Sequence, residues 1–120
     1  MSQGEVRIAF GIMGGWNQSQ AHAQFVSNIV DHGLNIQGAL EAARFTKITF
    51  TGCDVLMENR IPEQVRAGLE RKGHDIRLQG AFSSMVGGGQ SAMRDDASGV
   101  NYGGSDPRKD GAAIPEPFPY

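Results

Sequence analysis

Val6-Arg7-Ile8-Ala9-Phe10-Gly11-Ile12-Met13-Gly14-Gly15 is the stretch from which the fold is read. It alternates at first, then runs apolar, the pattern of a strand whose later part is buried on both faces. From about Gln18 to His32, Ala21, Phe25, Val26, Ile29 and Val30 follow helical spacing, and Gly33 is placed to stop the helix. Gly14-Gly15 therefore sits at a strand-to-helix junction. A glycine pair there opens backbone conformations closed to residues with a Cβ and lets a substrate atom approach the N–H groups. Donors at a helix N-terminus favour negative charge, whether bound or developing in a transition state. As bare pattern, a lone glycine pair is more often a tight turn without a ligand.

Further along, a second helix is predicted from Asn35 to Ala43, with Asn35 as its N-cap. Thr46–Phe50 and Asp54–Glu58 read as strands separated by Thr51-Gly52. Pro62 stands in the first turn of a helix reaching Lys72, with Val65 and Leu69 inward, Arg66 and Glu70 paired, and Gly73 ending it. Asp75–Leu78 alternates as a short strand. Gly87-Gly88-Gly89 has no following Lys-Ser or Lys-Thr, so it reads as a flexible hairpin connection rather than a phosphate loop. Val100–Gly103 is the last strand, and Pro115–Tyr120 cannot build regular structure. The whole is a one-piece mixture of helices and strands.

At 120 residues the chain is the size of one domain. A net charge of −2 argues against a general nucleic-acid binder, which needs a basic face. Cys53 is alone, which excludes an internal disulfide and a Cys-based metal site; it reads as a small buried hydrophobe. Neither a metal nor a cofactor is expected. Met1–Glu5 has no signal-peptide pattern and no stretch is long enough to span a membrane, so a cytoplasmic context is slightly favoured.

His22, His32 and His74 lack metal-ligand spacing. His22, near the start of the first helix, borders a pocket in this reading; His32 complements the helix dipole, and His74 is a structural hydrogen-bonding residue. Gln20 and Gln24 share a helical face and read as solvated surface. Ser105-Asp106-Pro107-Arg108-Lys109-Asp110-Gly111 reads as a turn. Its local Asp106–Arg108 surface pair would hold the loop's shape and be worth about 0–1 kcal/mol.

Several of these strings occur together in one family. Gly11-Ile12-Met13-Gly14-Gly15, Gln18-x-Gln20-x-His22-x-Gln24, Asn28, Gly33-Leu34-Asn35-x-Gln37 and Ala43-Arg44-Phe45 resemble the C-terminal part of the γ-glutamyltransferase family. Glu58-x-Arg60-Ile61, Leu69–His74 and Ser105–Gly111 follow in that family's order, so the likeness runs from about Phe10 to Ala113. It implies an α+β fold, a partial αββα sandwich of the N-terminal-nucleophile hydrolase type. Residues 1–113 would be the C-terminal segment of that domain and 114–120 a Pro-rich tail.

The resemblance further implies a precursor that cleaves itself to expose a threonine. That threonine attacks a γ-glutamyl amide, as in glutathione, with its own α-amine as base. The family's oxyanion-stabilising glycines fall on Gly14 and Gly15; Met13, Trp16 and His22 would border the substrate, while Asp106 and Arg108 shape a loop. Met13 and Trp16 replace the Pro and Ser that flank the glycines in the better-known transpeptidases, and the form is closer to a bacterial acylase-like branch. Ala43 likewise replaces the usual Pro before Arg44. The threonine and the residues that hold the glutamyl group lie upstream of the matched region. Thr46, Thr49 and Thr51 are interior, and Ser2 lies too close to Gly14 to replace it. The implied partners are a γ-glutamyl or other acyl amide and the missing N-terminal portion or large subunit. The alternative is a non-catalytic piece that docks onto a partner to complete the sandwich.

Overall fold

In the computed structural model, residues 7–117 are described, and two three-stranded sheets organise them. The Met1–Glu5 reading, Ser2, Val6 and the last three tail residues lie outside the described residues. β1 (Ile8–Met13) pairs antiparallel with β5 (Gly88–Asp95), which pairs antiparallel with β6 (Val100–Ser105). α1 (Gln18–Val30) and α2 (Ile36–Glu41) lie on one face, where Ile12, Ala21, Phe25, Ala39 and Leu40 form the core. Helices and sheets are thus both present, as an α+β chain requires.

β1 is not buried on both faces. Only Ile12 in it is buried, because the side carrying Ala9, Gly11 and Met13 borders an open groove. α1 shows the same incompleteness: Ala21 and Phe25 are buried, but Val26 and Val30 are exposed. Helical spacing selected a stripe wider than the sheet and α2 cover. Local stop signals act as expected. Gly33 takes φ +67° after α1, and the Asn35 carboxamide oxygen accepts the Gly38 N–H at 2.8 Å.

The second sheet runs β2 (Phe45–Thr46), β3 (Asp54–Glu58), β4 (Asp75–Gln79), antiparallel then parallel, with α3 (Glu63–Glu70) as the crossover. The strand expected over Thr46–Phe50 stops at Thr46. Beyond it the Lys47 ammonium turns onto Asp54, Thr49 and the Thr51 carbonyl, folding the segment into a loop. Cys53 lies exposed in that loop, not buried as expected. α3 buries none of its residues: Val65 is exposed, and Arg66 and Glu70 form no ion pair among the described residues. Gly73 ends α3 at φ +93°, with the His74 N–H reaching Leu69 O and the Gly73 N–H reaching Glu70 O, a Schellman closure.

The three glycines do not form a hairpin. Gly88 and Gly89 begin β5, and the hairpin is the Asp95–Gly99 turn, where Gly99 N–H meets Asp95 O at 2.8 Å. The glycines serve close approach instead. A Cβ on Gly89 would lie 2.8 Å from both Ile12 Cγ1 and Leu40 Cδ2. One on Gly87, at φ +82°, would lie 2.3 Å from the Met13 carbonyl oxygen. Gly87→Ala is therefore expected to cost on the order of 2–3 kcal/mol, from backbone strain plus overpacking. Gly99→Ala should cost less, since only strain operates there; paired urea unfolding curves measure both.

Candidate active site

Gly14 (φ +144°) and Gly15 (φ +56°) both lie where side chains are disfavoured. A short 3₁₀ turn, Gly15–Asn17, follows and leads directly into α1, closing with Asn17 N–H on Gly14 O at 3.0 Å. Neither the Gly14 nor the Gly15 N–H is bonded to another described group. The result is two adjacent unspent donors at the N-terminal end of a helix, exposed to solvent. Asn17 does not cap α1 with its side chain; the carboxamide is buried against Gly14 and Gly87.

Met13 and Trp16 stand on either side of the pair, 56% and 82% exposed. His22 borders the same open groove as Met13 and Gln18. Its Nε2 accepts the Ile12 N–H at 2.9 Å, so the imidazole covers the free edge of β1 with that lone pair. Phe10 packs edge-on against its ring. His74 forms no side-chain hydrogen bond among the described residues; only its backbone N–H is engaged.

Gln20 and Gln24 are not solvated surface. The Gln24 carboxamide accepts the Phe45 N–H and donates to Phe45 O, at 3.1 and 2.9 Å. Gln20 does the same for Lys47, at 2.8 and 3.1 Å. One turn apart on α1, the two amides act as a short strand edge for residues 45 and 47.

Asp106 and Arg108 do pair, at 3.0 Å, but deep inside the protein rather than at the surface. Arg108 bonds Glu58 bidentately at 2.7 and 2.6 Å and also donates to Leu40 O and Ala42 O. Arg44 meets the other Asp106 oxygen at 2.7 Å. Glu58 further accepts the N–H groups of Arg44 and Ser83 and a bond from Arg60. Asp106 Oδ2 accepts the Gly89 N–H, and Arg44 Nη1 reaches the Val86 and Gly87 carbonyls at 3.5 Å. Gly87 Cα in turn lies 3.5 Å from where a Gly14 Cβ would stand. The cluster thereby backs the glycine turn.

Burial alone would raise the Glu58 carboxyl. The bonds from Arg108, Arg44 and Ser83 outweigh it and hold the group below its ordinary value. Burial works against the Arg108 cation as well, but Glu58 and Asp106 outweigh it and raise its pKa. Arg44 and Glu58 stood within the family-like strings but carried no sign of partners far away in sequence.

Comparison with known proteins agrees with this architecture. The model of the family described as Gamma-glutamyltranspeptidase matches residues 1–116. The Glutathione hydrolase-like YwrD proenzyme of Bacillus subtilis is 28% identical over 114 residues, 92% of this chain and 22% of its own length. The Acylase ACY 1 proenzyme of a Pseudomonas species is 28% identical over 95% of this chain and 19% of its own. Among solved structures, cephalosporin acylase from Bacillus halodurans superposes with a TM-score of 0.79 at 39% identity, covering 91% of this chain and 20% of that one. The chain spans about a fifth of the length of the curated relatives it matches.

Breaking the cluster at one point should be severe. Arg108→Met leaves Glu58 and Asp106 buried with fewer partners, an expected loss of about 3–5 kcal/mol in denaturant unfolding. The pH dependence has a definite sign. An unfolded glutamate titrates near about 4.3. Glu58 titrates lower in the fold, so its contribution is complete above that pH and disappears as pH falls through the folded value. Unfolding free energy should therefore decline in acid, and Glu58→Gln should reduce the slope by one proton's worth.

Proposed function

The chain belongs to the γ-glutamyltranspeptidase family, and from that premise we propose that it supplies the oxyanion site of an amide-cleaving enzyme whose nucleophile lies outside it. The carrying observation is the pair of unspent N–H groups at Gly14 and Gly15, at the mouth of α1. The attacking group would be the hydroxyl of an N-terminal threonine, its proton taken by the threonine's own α-amine. Attack on the amide carbon moves the carbonyl electrons onto oxygen, where the two glycine N–H groups receive the charge. The C–N bond then breaks, the amine leaves with a proton, and water or an amino acceptor releases the acyl group from the threonine ester.

Substrates of the γ-glutamyl or related acyl-amide class suit this reading. The names of the relatives point to glutathione hydrolysis and to acylase chemistry. Met13, Trp16 and His22 border the donors or the adjoining groove and would contact the substrate. Asp106 and Arg108 would act through the backbone they hold. The relatives being proenzymes several times longer supports a partner polypeptide that brings the threonine.

Two measurements test the proposal. The 120-residue chain alone should not hydrolyse a γ-glutamyl anilide, whereas the chain combined with the threonine-bearing polypeptide should; an inert combination would leave only the non-catalytic docking role. In the active combination, Gly15→Val should lower kcat by about 10²–10³-fold while KM changes little, because the lost donor acts chiefly in the transition state. Unchanged kcat would reduce the glycine pair to a turn.

A further inference from the structure

Trp16 and Phe50 meet edge to face, with ring centroids 5.4 Å apart and planes at 82°. They are 82% and 86% exposed and belong to no core cluster, so burial does not explain them. Both are nevertheless fixed. Trp16 follows Gly15 directly and lies within the 3₁₀ turn that opens α1. Phe50 lies in the loop after β2, whose start is held by four hydrogen bonds that Phe45 and Lys47 exchange with the Gln24 and Gln20 carboxamides. Its remainder is held by Lys47 and Thr49 on Asp54 and the Thr51 carbonyl. The thiol-bearing end of the loop and Ile48 are exposed too, so the loop adds no packing to the fold. What its hydrogen bonds secure is the placement of one aromatic ring against another, beside the two oxyanion donors.

We infer that Trp16 and Phe50 form an apolar wall that selects amides carrying a planar, apolar substituent next to the scissile carbonyl, with Gln20 and Gln24 as its positioning residues. This rests on the amide-cleaving reading of the glycine pair. Rings joined edge to face leave an open face for a third ring, and few degrees of freedom remain to be lost on binding. An aryl group on either the acyl or the amine side meets this chemistry.

The test uses the chain combined with its threonine-bearing partner and three amides: phenylacetyl methylamide, acetyl benzylamide and acetyl methylamide. Phe50→Ala should lower kcat/KM at least about tenfold for one or both aryl amides, through KM, and leave acetyl methylamide within twofold. Which aryl amide suffers identifies the side that the wall contacts. Phe50→Tyr should restore the preference, and the double variant Gln20→Ala/Gln24→Ala should reproduce the selective loss. Equal losses on all three amides would mean that the rings pack against polypeptide, and the wall is overturned. If the combination cleaves none of the three, the γ-glutamyl anilide assay decides the proposed reaction, and equilibrium dialysis decides the wall separately. Either aryl amide bound by the native form and not by Phe50→Ala supports the wall; neither aryl amide bound by the native form, or both bound alike by the two forms, overturns it.

Discussion

The Arg108 guanidinium, locked bidentately onto Glu58 and turned on its other side to Asp106, is the interaction on which the rest of the chain depends. Each ion taken from water costs several kcal/mol, and only a complete set of partners recovers it. The set is complete here because elements distant in sequence converge. α2 and its C-cap offer the carbonyls of Leu40 and Ala42, β3 ends at Glu58, and the segment after β6 contributes Asp106 and Arg108. Arg44, between α2 and β2, closes the ring. The two sheets share no strand, yet this one polar centre ties both to α2. Its contribution is to fix geometry more than to add net stability.

From that centre the constraint passes outward to the glycine turn. Arg44 reaches the carbonyls of Val86 and Gly87, and Asp106 takes the Gly89 N–H that would otherwise face an interrupted ladder. Gly87 then sits close enough to Met13 and Gly14 that no Cβ is tolerated. The backbone of Gly14 is therefore packed from behind, while the N–H groups of Gly14 and Gly15 are bonded to no other described group. Under the proposed reaction, donors made from backbone and supported in this way need little reorganisation when charge develops in front of them.

The features legible in the sequence were those set within a few residues. Gly33 and Gly73 stop helices because a left-handed residue is needed at that spot, and Asn35 caps because its own chain folds back to Gly38. The diglycine junction was legible for the same reason. Arg108 and Glu58 are 50 positions apart, and the turn formers around Arg108 describe a surface loop equally well, so burial of the pair left no local trace. Gln20 and Gln24 have the composition of a wet face; only the approach of residues 45 and 47 makes them a strand edge. Val26, Val30 and Val65 followed the right period, but periodicity gives a direction and not a cover.

The uncovered positions bear on how the site could work. Ala9, Gly11 and Met13 line an open groove on one face of the first sheet, and Val26 and Val30 lie bare on α1. The side of the glycine turn that faces the cluster is by contrast filled. Asn17 and Gly87 crowd the position that a Gly14 Cβ would take, and Arg44 and Asp106 stand behind Gly87. Under the proposed reaction this chain itself supplies the packing behind the first oxyanion donor. A polypeptide bringing the threonine has to place one hydroxyl against donors already set, and apolar surface on this chain is available for docking it. Positioning and charge stabilisation are then separable, the first resting on the interface and the second on the buried ions.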